Sequence, residues 1–370
     1  MSGESTRSGQ AMQFAALLSV LLICAWLAPA PGHPTDRDIY ERVGRSFIVA
    51  DCGSIHCFRP LVPWIVERFP GPSIVHWKLY AALMNALAGM AVGRLALTFG
   101  LTRRGAALGA TLSAFGSGAM FTLYDPHTAD PFMFAIGPML FRELWLGRIA
   151  LAGMVASVAV LGKEFAAAPL WIFTALAALE RRWRVMLRAL VAANAATLVW
   201  ILLQLTLMLR LQYNYAESAS ADVFHGGYMA YWLSHMSAMS ALAAVLSVYG
   251  PIYLLAAVGL AIGGPPWRRL ALAALPAIVL LCYVQQPDRA LWNFHFIVVP
   301  LAVLVLEQAP AAVGWSFVVL MTLANMRLGA QLPVPASRFS LALAGVLALA
   351  ASVSAWRNRP EMTLAMAAVR

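Results

Sequence analysis

The sequence predicts an all-α, polytopic transmembrane helical bundle forming a single domain over residues 1–370. Hydrophobic residues make up 61% of the chain and charged residues only 11%, whereas soluble chains carry about 25% charged residues. Mean hydropathy is +0.75. The apolar residues are gathered into about a dozen segments divided by short polar stretches, which leaves a membrane-embedded chain as the class that fits. The net charge of +10 does not point to nucleic acid, because the basic residues are scattered between apolar segments instead of lining one patch. They read as topology signals, since Lys and Arg accumulate in cytoplasmic loops.

Met1–Gln10 is polar, and an apolar run follows to about Ala28. Ala28-Pro29-Ala30 has a slight likeness to a signal-peptidase site, but the length of the run and the spans that follow it favour an uncleaved first helix. The expected spans lie near 12–30, 75–98, 105–123, 131–146, 148–162, 165–179, 189–209, 239–263, 270–285, 295–309, 313–328 and 339–356. Several are shorter than the roughly 20 residues that a perpendicular span needs. Those near 131–179 and 295–309 are therefore expected to be broken, re-entrant or shielded by neighbours. Alternating the loops places Arg103-Arg104, Arg142, Arg148, Arg181-Arg182, Arg184, Arg188, Arg268-Arg269, Arg357 and Arg359 on one side. By the positive-inside rule that side is cytoplasmic, with both termini inside.

Most acidic residues fall on the other side, including Asp36, Asp38, Asp125, Asp130 and Glu164. The outer side also carries two long loops, near 31–74 and 210–238, whose aromatic and Pro-flanked apolar stretches predict ordered structure. Tyr228–Met239 has the pattern of an interfacial helix, with Tyr231 and Trp232 reading first as a membrane-interface belt. Cys24 and Cys282 sit in apolar segments as packing residues. Cys52 and Cys57 share the first outer loop, where a small disulfide-closed loop, free thiols, or a metal site with His56 all remain open.

Charge next to a bilayer is costly and commonly functional, so the outer polar groups are the candidate site. Asp36 and Asp38, two apart in an extended segment, would point opposite ways, leaving one to face a site as a general base. Asp125 and Asp130 flank a Pro-bounded turn with His127 between them. That turn suits acceptor placement, a divalent cation such as Mg or Mn, or a plain Asp-Pro turn. Lys163-Glu164 interrupts an apolar run and needs partners. Lys163, Arg59 and Arg289 are the candidate phosphate-binding cations, Arg because its planar fork matches phosphate oxygens. A structural salt bridge is the competing role for Arg59 and Arg289. The chain has no Walker-type phosphate loop, strand-turn-helix glycine fingerprint or HExxH motif.

The acidic first outer loop Asp36-Arg37-Asp38-Ile39-Tyr40, the segment Arg59-Pro60-Leu61-Val62-Pro63, the acidic turn after the third span and Lys163-Glu164 together resemble the GT-C superfamily of polytopic membrane glycosyltransferases. The resemblance covers the N-terminal half through these motifs and the remainder through topology alone. It implies transfer of a sugar from a polyprenyl-phosphate donor to a lipid, glycan or protein acceptor at the outer face of the cytoplasmic membrane. It also implies an acid of the first outer loop as base, here Asp36 or Asp38, with Tyr40 and Glu164 in support. The competing readings are a secondary transporter or lipid flippase, for which no repeat between the halves is evident, and a non-catalytic membrane subunit on the same scaffold.

Overall fold

A computed structural model describes residues 2–32, 35–49, 52, 54–211, 237–284, 287–334 and 337–358. The described residues form helices joined by short turns, with no strand among them. In chain order these are α1 (Ser2–Leu27), α2 (Arg37–Ser46), α3 (Leu61–Val66), α4 (Ser73–Thr98), α5 (Arg103–Ala114), α6 (Ser117–Tyr124), α7 (Asp130–Trp145), α8 (Ile149–Ala159), α9 (Ala168–Leu179) and α10 (Trp183–Leu211). They continue as α11 (Ala238–Tyr249), α12 (Ile252–Ile262), α13 (Gly264–Val284), α14 (Pro287–Trp292), α15 (His295–Leu306), α16 (Ala311–Leu328) and α17 (Ser337–Arg357). Each apolar segment of the sequence coincides with a helix or a pair of helices.

Among the described residues, six helical stretches are long and apolar enough to cross a membrane, or seven if the bent pair α11–α12 is one span. Several of the remaining segments are shorter than a perpendicular span. At about 1.5 Å per residue, the 11 residues of α8 and the 12 of α15 cannot cover the roughly 30 Å of hydrocarbon. The segment expected near 239–263 is bent by 75° between Tyr249 and Ile252, where Gly250-Pro251 interrupts the backbone ladder. The interfacial helix expected at Tyr228–Met239 lies largely outside the described residues.

Apolar side chains face both ways. The core threads through α4, α5, α7, α8, α9, α13 and α15, where Phe141, Phe173, Phe296 and Trp267 are fully buried. Val191 and Leu209 of α10 are 70% and 78% exposed, and Phe339 and Val346 of α17 are 67% and 59% exposed. An apolar outer surface of this kind is a liability in water and matches a hydrocarbon surround. The protein is a membrane-embedded helical bundle. Close packing of α4 on α5 needs Gly89, since a Cβ there would sit 2.6 Å from the Ala110 carbonyl oxygen.

The helices have two chemically distinct ends. α4 has 26 residues and is therefore about 39 Å long. It starts at Ser73, whose hydroxyl donates to Glu67, and it ends beyond Arg94. α7 likewise starts at Asp130 and reaches Arg142 in its last turn.

Candidate active site

The loop expected to be the first on the outer side contains α2, a single 3-10 turn at Ile55–Phe58, and α3. The acidic segment expected to be extended instead begins a helix, with Asp36 at its N-cap. Asp38, two positions on, is rotated by about 200° and is exposed. The expected divergence of the two carboxylates therefore holds, through helical geometry. An N-cap Asp ordinarily accepts a backbone N–H of the first turn. The Asp36 carboxylate makes no such cap bond; its Oδ2 lies 3.1 Å from Nε2 of His56.

His56 joins the loop to the interior. Its Nδ1 lies 3.0 Å from the Tyr40 hydroxyl and 3.4 Å from Nη1 of Arg59. A guanidinium has only donors, so Nδ1 is the acceptor and the ring proton sits on Nε2, donated to Asp36. Burial pushes the His56 pKa below its ordinary value against the opposing pull of Asp36, so the ring is neutral at pH 7. The Tyr40 phenol, fully buried, is pushed up to about 12 by desolvation and stays protonated as a donor.

Arg59 sits at the end of the 3-10 turn and Pro60 caps α3, a first-turn setting in which proline is tolerated. The Leu61 N–H donates to the Leu161 carbonyl at 3.2 Å, which fastens α3 to the turn carrying Lys163. This places Arg59 in a two-pronged pair with Glu164, at 2.8 Å for Nε–Oε2 and 2.5 Å for Nη2–Oε1. Burial acts against the guanidinium, but Glu164 outweighs it and the Arg59 pKa is raised. The Lys163 backbone is extended, so neighbouring side chains diverge. Lys163 reaches Asp130 at 2.6 Å while Glu164 reaches Arg59.

An aromatic column stiffens this arrangement. Tyr40 packs between His56 and Trp77 at centroid distances of 5.1 and 5.2 Å, and Trp77 meets His127 at 5.4 Å. The Trp77 indole N–H donates to Glu67 at 2.6 Å. Gly44 lets α2 lie directly on Glu67 and Pro63, because a Cβ there would overlap both. A disulfide joins Cys52 to Cys57 around His56, which resolves the three alternatives for those cysteines.

The structure thus gathers Asp36, Tyr40, Arg59, Asp130, Lys163 and Glu164 into one network and leaves Asp38 outside it. Arg59 and Lys163, for which phosphate binding and structural pairing were the alternatives, are 4% and 3% exposed and matched to carboxylates. Two cations against the three carboxylates of Asp36, Asp130 and Glu164 leave one net negative charge. Asp125 and His127 are buried beside the network, at 6% and 3% exposure. Burial, reinforced by Arg37, pushes the His127 pKa down to about 4. No three described His, Cys, Asp or Glu side chains are grouped to hold a metal, those of Asp125, His127 and Asp130 included. The Arg289 side chain lies outside the described residues. His56 was considered in the sequence only as a metal ligand. Its signal was a histidine enclosed by two nearby cysteines, three residues before Arg59. Compared with protein-family models and with curated proteins, the chain matches none.

Proposed function

We propose that the protein is a membrane glycosyltransferase that moves a sugar from a polyprenyl-phosphate donor to a lipid, glycan or protein acceptor. In this reading both termini are cytoplasmic, the twelve apolar segments supply the scaffold, and the site faces outward from the cytoplasmic membrane. The observation that carries it is the Asp36 carboxylate, 35% exposed on its side chain, backed by neutral His56 instead of being used as a helix cap.

In the proposed step the acceptor oxygen bonds to the anomeric carbon as the bond from that carbon to the donor phosphate breaks. The bonding pair leaves with the phosphate, and the acceptor proton passes to Asp36. The His56 Nε2–H fixes the orientation of that carboxylate, while Tyr40 and Arg59 hold the His56 tautomer. Arg59–Glu164 and Lys163–Asp130 form the rigid, charge-matched floor. The leaving phosphate requires positive charge beyond this network, a role assigned to Arg289. No step runs through a metal.

The test is sugar transfer in proteoliposomes with polyprenyl-phosphate sugar donors. A general base contributes roughly 10²–10⁴-fold, so Asp36→Asn is expected to lose that much turnover while Asp38→Asn retains it. Full turnover in a folded Asp36→Asn variant removes Asp36 as the base. Wild-type protein inactive with every donor class removes the transferase reading and favours transport through the same scaffold.

A further inference from the structure

At the end of the bundle remote from Asp36, a cavity of about 810 Å³ opens between α1, α4, α7 and α8. Its shaft is apolar, lined by Phe14, Leu87, Met90, Leu140 and Leu151, and its mouth carries Gln10, Arg94, Arg142 and Glu143. Two smaller hollows continue from the mouth and share Gln10 and Arg94 with it. The gap exists because α1 packs principally on α4, with a lesser contact on α6, leaving the sides of α7 and α8 uncovered.

Charge at the mouth is unbalanced. Glu143 is shared by Arg142 at 2.6 Å and Arg148 at 2.9 Å, and Arg142 Nε is buried without a hydrogen-bond partner among the described residues. Arg94 is exposed and joins no ion pair among the described residues. Among the described residues one carboxylate thus faces two guanidinium groups at the head of an apolar shaft, and it is shared with a third, Arg148, beyond the lining. The complement of that pattern is an anion joined to a hydrocarbon chain. Guanidinium binds phosphate oxygens through paired donors, and basic pockets between transmembrane helices receive anionic lipid headgroups.

We propose that this groove is a binding site for an anionic phospholipid, with its phosphate on the guanidinium groups of Arg94 and Arg142 and an acyl chain in the shaft. The site is separate from the Asp36 network and does not depend on the reaction assigned to it.

The test is native mass spectrometry of the full-length protein equilibrated with equal amounts of phosphatidylglycerol and phosphatidylcholine of identical chains. Wild type is expected to retain phosphatidylglycerol preferentially. Near a membrane surface an arginine is worth about 1 kcal/mol toward an anionic lipid, so Arg94→Gln is expected to reduce that preference about fivefold. Arg184→Gln, at an exposed arginine outside the groove, is expected to leave it unchanged. Thermal denaturation in phosphatidylcholine nanodiscs verifies that each variant is folded. Equal retention of the two lipids by wild type overturns the proposal. So does an equal loss in Arg94→Gln and Arg184→Gln, which reports general surface attraction. A melting temperature raised as much by inorganic phosphate as by phosphatidylglycerol also overturns it, since the apolar shaft then contributes nothing.

Discussion

At one end of α4 and α7, Arg59 and Lys163 are 4% and 3% exposed, and each is held against its own carboxylate. At the other end, Arg94 is exposed and Arg142 shares the carboxylate of Glu143 with Arg148. Both ends contain arginine and glutamate, yet the surroundings give them different work. Where water is excluded, a charge must be matched nearly one for one, because an unpaired buried ion costs several kcal/mol. Where the side chain reaches solvent or headgroups, surplus positive charge persists and remains available to an outside anion. The buried end therefore serves as a fixed framework, and the open end as a surface for exchange.

The largest expected effect breaks the matching directly. Arg59→Met takes the two-pronged guanidinium away from the largely buried Glu164 carboxylate and is expected to cost about 3–5 kcal/mol, read as loss of thermal stability in nanodiscs. Arg59→Met combined with Glu164→Leu recovers most of that loss, because both charges of the pair are then gone. A single variant as stable as wild type would show that the two ends do not differ in this way. Next in size is the turnover loss of Asp36→Asn against the retained turnover of Asp38→Asn, which separates the carboxylate held by His56 from the one facing out.

A third effect uses pH. His127 has its pKa lowered from the ordinary 6.5 to about 4 in the folded protein, so folding favours its neutral form. Its contribution to stability is complete above about pH 6.5 and is lost progressively as pH falls from 6.5 towards 4. His127→Phe is expected to flatten that part of the melting profile. An unchanged slope would place the titration elsewhere. The arginines of the opposite end keep their charge throughout this range. The smallest effect is on the surface of the site end itself. Arg37 is 51% exposed and pairs with Glu41 along one helix face. Arg37→Ala is expected to change stability by less than about 0.5 kcal/mol. A cost comparable to that of Arg59→Met would mean that exposure does not govern the value of a pair here.

Much of the fold was legible, since each apolar segment became helix and the described part of the acidic loop near 31–74 carries helices. The broken character expected near 131–179 and 295–309 is matched by the short apolar helices Ile149–Ala159, Glu164–Leu179 and His295–Leu306. The bend at Gly250-Pro251 was missed because hydropathy sums across a break without registering it. Within the site, Asp36, Tyr40, Arg59, Lys163 and Glu164 stood out as charge or motif in polar gaps. His56 did not, because a single histidine carries no periodicity, and its two cysteines directed attention to metal chemistry.

The sequence by itself determined that this chain is helical and membrane-embedded, because hydrophobicity and helical backbone bonding are local properties summed along each segment. It also determined which residues carry charge next to the bilayer. Only the tertiary structure decided how those charges are spent. Arg59 finds Glu164 across 105 positions and Lys163 finds Asp130 across 33, and no spacing in the sequence named either partner. Pairing depends on three-dimensional distance and on the absence of water, and neither is written in the order of residues.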